Sequence, residues 1–385
     1  MDAEERAGTV DVVLGTRPEA IKLAPVVRAL AARDVRTRVV LTGQHREMVD
    51  ALLGPLGLAG LVAADLDVMR HGQGLNGLAA RVVAAVDAHW ERGEPAAVLV
   101  QGDTTSAACA ALAAFHRRLP IGHVEAGLRS GRTDDPFPEE ANRRIVACLA
   151  SLHFAPTRRA LDNLLREGVD PGRTLLTGNT GIDSLVWIRE RALGASAFAR
   201  TEGTGLKVLV TLHRRESQGS RMRAVARELA ARADRHGLRL VVPVHASAAV
   251  RASIEPELAG RSNVTLVEPL DYVDFVATLA DADLVVTDSG GVQEEAPALG
   301  TPVIVVRETS ERMEAVGAGR AVLAGTDPGS VGEQLGRLAT DEALRARMAR
   351  PAALFGDGAA ADRVADRLVE SFLSPRRGSP GDGDP

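Results

Sequence analysis

The chain reads as an α/β protein built from two doubly wound domains, and three observations predict it. Short β-branched runs alternate with longer Ala/Leu/Arg stretches of helical period along most of its length, the pattern of βαβ units that form parallel sheets covered on both faces. The runs fall into two series separated by a stretch of small residues. At 385 residues the chain also exceeds one ordinary core, so two domains of roughly 150 to 200 residues, with a cleft between them, are expected.

In the first series the predicted strands are Val10 to Gly15, Thr37 to Gly43, Ala96 to Gly102, Ile121 to Gly127 and Leu152 to Pro156, each ending in Gly or Pro before a helix. The pattern breaks around Gly178 to Leu185, and Ala192 to Gly205 is rich in small residues, as a connection between domains is. The second series comprises Leu206 to Leu212, Arg239 to His245, Asn263 to Pro269, Asp283 to Gly291 and Thr301 to Glu308. The expected domains are 9–185 and 204–355, with a terminal helix over 356–373 packing back on the first domain. The tail 374–385, SPRRGSPGDGDP, lacks large apolar residues and is read as disordered.

Composition narrows function mainly by exclusion. A net charge of -5 without a basic block offers no footprint for a phosphate backbone, so nucleic acid is not an expected partner. Apolar runs such as Ala96 to Val100 and Leu240 to Val244 are strand-sized, far short of the ~20 residues that span a bilayer. The segment MDAEERAG is acidic rather than signal-like, which leads to a cytoplasmic expectation and no membrane partner. Cys109 and Cys148 each lie in an apolar helical stretch without a CxxC or Cys/His cluster. Both are expected to be buried and inert, with no metal site.

One string, Gly72 to Gly77 (GQGLNG), matches a dinucleotide fingerprint as text. It follows the irregular DLDVMRH instead of a first strand, so it reads as a helix start, and no cofactor is expected.

Ser289, Gly290 and Gly291 fall where a strand turns into a helix. Glycine admits close backbone approach, and free N–H groups with the helix dipole attract phosphate. Glu295, about one turn up that helix, is placed to accept two hydroxyl hydrogen bonds from a ribose. An ordinary Gly-rich turn with dipole-favoured glutamates explains these residues equally well. In GTRPEAIK (Gly15 to Lys22), Pro18 opens a helix with Arg17 just before it. Arg17 and Lys22 are candidates for a diphosphate, or else a solvated pair.

Taken together, QGDTTSA (Gln101 to Ala107), HVEAGLRS (His123 to Ser130), PFPEEANRR (Pro136 to Arg144), TGNTGIDSL (Thr177 to Leu185), HRRES (His213 to Ser217) and TDSGGVQEEAPALGTPV (Thr287 to Val303) closely resemble the nonhydrolysing UDP-N-acetylglucosamine 2-epimerases. The strings occur in that family's order from about Val10 to Asp366. The resemblance implies two Rossmann-like domains facing a cleft in the GT-B manner and a homodimer. It implies interconversion of UDP-GlcNAc and UDP-ManNAc, with the nucleotide mostly on the second domain.

The chemistry follows from the substrate. C2 carries an acetamido group and no adjacent carbonyl, so a carboxylate cannot remove its proton unaided. Loss of UDP from C1 as C2 deprotonates gives 2-acetamidoglucal, and re-addition with protonation on the other face gives the epimer. That scheme asks for acid/base groups on both faces and cations for the leaving diphosphate. Asp103 and Glu125 fall near the carboxyl ends of predicted strands, where α/β sheets place their ligands. Glu139 begins a helix after Pro138, and neighbouring Glu140 points about 100° away, so one of the two can line a site. The resemblance selects Glu139. It also implies His213 at the diphosphate or in catalysis, Phe275 beside the uracil and Arg312 toward the phosphates.

The match departs at its rim. Leu270 stands where the family commonly has Gln at a uracil-contacting position. Gln44, Arg214 and His245 match a second, activating UDP-GlcNAc site known in many bacterial members, yet Glu47 replaces a glutamine of some members and Ala-Ser-Ala follows His245. Within enzymes the competing readings are a hydrolysing epimerase that releases ManNAc and UDP, and a glycosyltransferase on the same fold. A nucleotide-sugar sensor would have no use for Asp103, Glu125 and Glu139 together.

Overall fold

A computed structural model describes residues 8–191, 193–201, 203–214, 218–310 and 312–373. The chain divides into two compact units, one running to Ser184 and resuming at Gly358, the other spanning Leu185–Asp357.

The first unit comprises β1 (Thr9–Leu14), α1 (Arg17–Ala31), β2 (Arg36–Leu41), α2 (Arg46–Leu53), β3 (Val62–Asp65), α3 (Leu75–Glu91), β4 (Ala97–Gln101) and α4 (Thr105–His116). It continues through β5 (Ile121–Val124), α5 (Glu139–Leu149), β6 (Leu152–Ala155), α6 (Arg158–Arg166), β7 (Thr174–Leu176) and the start of α7 (Thr180–Glu190). The seven strands are parallel in the order β3-β2-β1-β4-β5-β6-β7. β1, TVDVVL, is buried at every position, as a strand covered on both faces must be. Against it pack α3 and the alanine-rich α4, whose small side chains allow close approach, and Trp90 is buried among them. The Trp90 indole N–H donates to Asp11 at 2.9 Å, and Arg38 adds two hydrogen bonds at 2.6 and 2.9 Å, so this fully buried carboxylate is paired. After Gly358 the chain forms α15 (Ala360–Leu368), tied to α1 through Arg33 with Asp362 and Asp366 and to Asp183 through the Ala361 amide.

The second unit holds β8 (Lys207–Thr211), α8 (Ser220–His236), β9 (Arg239–Pro243), α9 (Ala248–Leu258), β10 (Val264–Val267), α10 (Tyr272–Asp281) and β11 (Leu284–Thr287). α11 (Val292–Leu299), β12 (Val303–Val305), α12 (Met313–Gly317), β13 (Ala321–Leu323), α13 (Pro328–Thr340) and α14 (Glu342–Met348) complete it. Its six parallel strands run β10-β9-β8-β11-β12-β13, the strand order of a doubly wound nucleotide-binding sheet. Valines and leucines of β8, β9 and β11 form one buried cluster with α8, α9 and α13.

Three strands lie outside the predicted set: β3, β7 and β13. All are sheet edges of three or four residues, too short for a periodic signal. Burial of Cys148 is corrected: Cys109 is buried, but Cys148 is exposed. It lies three positions after the exposed Ile145 on α5, and so on the same outward face. GQGLNG runs into α3, which begins at Leu75. Arg17 is the first residue of α1 rather than the one before it. The tail 374–385, with Arg215, Glu216 and Ser217 of the HRRES string, lies outside the described residues. Among the described residues no helix is long and apolar enough to cross a membrane, and no group of three or more His, Cys, Asp or Glu is arranged to hold a metal ion.

Candidate functional site

In a doubly wound sheet the strand order reverses at one point, and ligands collect outside the carboxyl ends there. In the first unit that point lies between β1 and β4, and the predicted acid/base residues Asp103 and Glu125 lie on its β4 and β5 side. Asp103 follows β4 immediately after Gly102, whose φ of 71° is left-handed. Glu125 follows β5 and takes a left-handed φ of 62° itself, a conformation costing a non-glycine residue roughly 1 kcal/mol or more. Two side-chain ties hold it there: Lys22 of α1 pairs with one carboxylate oxygen and the Gln101 amide donates to the other. Lys22, a candidate for a diphosphate, is thus engaged with a catalytic candidate.

Asp103 is tied to α5: Arg143 pairs with its carboxylate, and Asn142 donates to its backbone carbonyl at 2.9 Å. Burial raises the Asp103 carboxyl above the ordinary aspartate range, Arg143 and Lys22 pull it down, and the nearby Glu125 charge pushes it up, with a net upward result. A carboxyl shifted toward neutral pH is suited to moving protons. Of the two glutamates opening α5, Glu140 is fully buried, accepting from the Ser130 amide at 3.0 Å and pairing with Arg143 and Arg144. Glu139 is half-buried and has no ion pair among the described residues. The helical offset therefore separates the two, one structural and one available.

Sequence reasoning missed several supports. Glu19, fully buried, accepts from the Gly15 and Thr16 amides at 2.8 and 2.7 Å and from the Thr104 hydroxyl at 2.6 Å. Its carboxyl is raised by burial against the lowering effect of those hydrogen bonds. It clasps the loop after β1 to the loop carrying Asp103. His123, pulled down to about 3 chiefly by burial, stays neutral and lies 2.9 Å from the Gly102 carbonyl through Nε2. Gly15 leaves no room for a side chain as packed: a Cβ there would lie 2.0 Å from the Thr42 hydroxyl. That hydroxyl bonds Ser106, which donates to Gln44 at 2.7 Å and so fixes one candidate of the second ligand site. Glu47 on α2 is exposed, and Arg17 is half-buried.

In the second unit the order reverses between β8 and β11. His213 follows β8 and Ser289, Gly290 and Gly291 follow β11, with Gly291 capping α11. Arg312 lies against this turn: a Cβ on Gly290 would come within 3.3 Å of the guanidinium carbon, and Arg312 Nε donates to Glu294 at 2.8 Å. Glu295, on the next position of α11, accepts from the Tyr272 hydroxyl at 3.3 Å, while half-buried Phe275 lies one turn further along α10. Leu270 is half-buried just before that helix. Arg214 donates through Nε to the Asp288 carbonyl at 2.9 Å. The exposed His245 ring stacks on His213 at 5.8 Å between centroids, 18° from parallel. No single residue type announces Asp288, Tyr272 or Arg143; they lie inside the quoted strings or beside them, and only packing shows what they touch.

Candidate acid/base carboxylates beside one switch point, and a glycine turn with an arginine at another, outline a class: a two-unit α/β protein whose sites suit proton transfer and an anionic ligand. Comparison with known proteins sharpens it. The family model for UDP-N-acetylglucosamine 2-epimerase matches residues 28–369, and the chain belongs to that family. It is 44% identical over 366 residues to the UDP-N-acetylglucosamine 2-epimerase of Yersinia pestis, covering 92% of this chain and 97% of that one. It is 42% identical over 372 residues to the Escherichia coli (strain K12) enzyme of the same name, covering 94% and 98%. The crystal structure of UDP-GlcNAc 2-epimerase from Neisseria meningitidis bound to UDP-GlcNAc matches with a TM-score of 0.87 at 36% identity, covering 94% of this chain and all of that one.

Proposed function

We propose that this protein interconverts UDP-GlcNAc and UDP-ManNAc without hydrolysis, by eliminating and re-adding UDP. The observation that carries the reading is the grouping of Asp103, Glu125, Lys22 and Arg143 at the β1/β4 switch point, two carboxylates balanced by two cations. One carboxylate takes the C2 proton while the C1–O bond breaks. The C–H electrons form the C1=C2 bond, and the C1–O pair leaves with UDP. In the return step UDP oxygen adds to C1 as a protonated carboxyl delivers a proton to the opposite face of C2. Asp103, Glu125 and Glu139 are the acid/base groups, and Arg17 and Lys22 add positive charge near them. In the second unit His213 is a catalytic group, while Ser289, Gly290, Gly291 and Arg312 hold the diphosphate, Glu295 the ribose and Phe275 the uracil.

The same proposal includes a homodimer. Phe115 on α4 and Ile145 on α5 are large apolar side chains left about half exposed, next to a shallow groove lined by Ala79, Val83, Leu112 and His116. A second copy covering this face would bury them.

Incubation with UDP-GlcNAc in heavy water tests the chemistry. The expected product is UDP-ManNAc carrying one deuterium at C2. Stoichiometric free sugar and UDP would instead indicate a hydrolysing epimerase, and UDP-ManNAc without label would remove proton exchange from the mechanism.

A further inference from the structure

We infer that Asp288 is a positioning residue that fixes the ring tautomer of His213, so that Nδ1 carries the proton and Nε2 is presented bare to the substrate. The inference rests on the proposed role of His213 and adds a group on which that role depends.

Asp288 directly follows β11, with its side chain wholly buried. Burying a carboxylate is costly unless its lone pairs are filled, and here the loop after β8 fills them. The His213 amide donates to Oδ1 and Oδ2 at 3.1 and 2.9 Å, and the Arg214 amide to Oδ2 at 2.9 Å. The backbone that carries the histidine is thereby pinned to the end of the neighbouring strand. The ring lies close to the Asp288 carboxylate too, with Nδ1 3.1 Å from Oδ1. A carboxylate only accepts, and a bare imidazole nitrogen at that distance would set lone pair against lone pair, so the proton belongs on Nδ1.

His245, stacked on His213, has the opposite arrangement. Its Nδ1 accepts the Ser247 amide at 3.1 Å, so its ring proton sits on Nε2. The near-parallel stack also restricts the His213 ring from turning over. The two adjacent rings thus carry their protons on different nitrogens, which gives the experiment an internal reference.

The test is nitrogen NMR of protein labelled with 15N-histidine at pH 8, with ring signals assigned by their loss in His213→Asn and His245→Asn. The wild-type protein should show His213 protonated on Nδ1 and His245 on Nε2. An Nε2-protonated His213 overturns the proposal, and this readout does not depend on any Asp288 variant folding. In Asp288→Asn the side-chain amide can donate to Nδ1, so the His213 tautomer should switch. Turnover should then fall about a hundredfold or more while UDP affinity stays within about threefold. An unchanged tautomer, or turnover within twofold of wild type, also overturns it. Wild-type turnover in His213→Asn would instead sink the role proposed for His213, leaving the tautomer result to report separately on the hold of Asp288.

Discussion

Acidification should loosen the first sheet through two histidines, and the size of the effect can be worked out. His123 and His153 are register partners on β5 and β6, both essentially without solvent exposure. Burial lowers His123 to about 3 and His153 to about 4. In the unfolded chain both return to the ordinary value near 6.5. The unfolded state therefore binds more protons below pH 6.5, and stability present above that pH is lost as it falls toward 4. Each histidine costs about 1 to 1.5 kcal/mol by pH 5.5, so the pair costs about 3 kcal/mol there relative to pH 8. Glu19 and Asp103, raised by burial, act in the opposite direction because the folded chain holds their protons more tightly. A variant isolates the histidine contribution: His153→Leu removes one imidazole and leaves the carboxyls in place. Urea unfolding followed by circular dichroism at pH 8, 6.5 and 5.5 should show the variant gaining on wild type by about 1 to 1.5 kcal/mol over that range. A difference between the two proteins that stays constant from pH 8 to 5.5 would refute the reasoning.

Three further outcomes are expected. Asp103→Asn, Glu125→Gln and Glu139→Gln should each lower turnover by at least about a hundredfold with UDP affinity nearly unchanged, as steady-state kinetics and calorimetric titration with UDP would record; wild-type turnover in any one removes that residue from the mechanism. Gly290→Ala places a methyl against the Arg312 guanidinium at 3.3 Å, which a flexible side chain can evade only by moving. UDP should then bind roughly tenfold more weakly, about 1.4 kcal/mol, at an unchanged urea midpoint. Phe115→Glu puts a charge on the exposed apolar face of α4, and sedimentation should show the wild type as a dimer and the variant as a monomer.

The strands most legible in the sequence were those buried on both faces. TVDVVL and AVLVQ announce themselves because valine and leucine dominate them, as a central parallel strand requires, with Asp11 and Gln101 as polar exceptions. β3, with alternating half-buried and exposed positions, and β7, half-buried throughout, carry no such run. The placement of Asp103 and Glu125 after predicted strands was readable for the same reason, since a strand end fixes where its next residue falls. The direction of a long side chain is not fixed that way. Lys22 looked like a phosphate ligand from its place on α1, and the structure pairs it with Glu125. Asp288 shows the same limit more sharply: its burial and its contact with His213 depend on β8 and β11 being neighbours, 75 residues apart in the chain.

The central claim is that the C1–O bond of the nucleotide sugar breaks and re-forms. UDP-GlcNAc carrying 18O in the bridge between C1 and the β-phosphate tests this directly, read by phosphorus NMR as the epimers equilibrate. 18O should migrate from the bridge into the non-bridging β-phosphate positions, because a released diphosphate can rotate before it re-adds. Inversion at C2 with all of the 18O still in the bridge would contradict it.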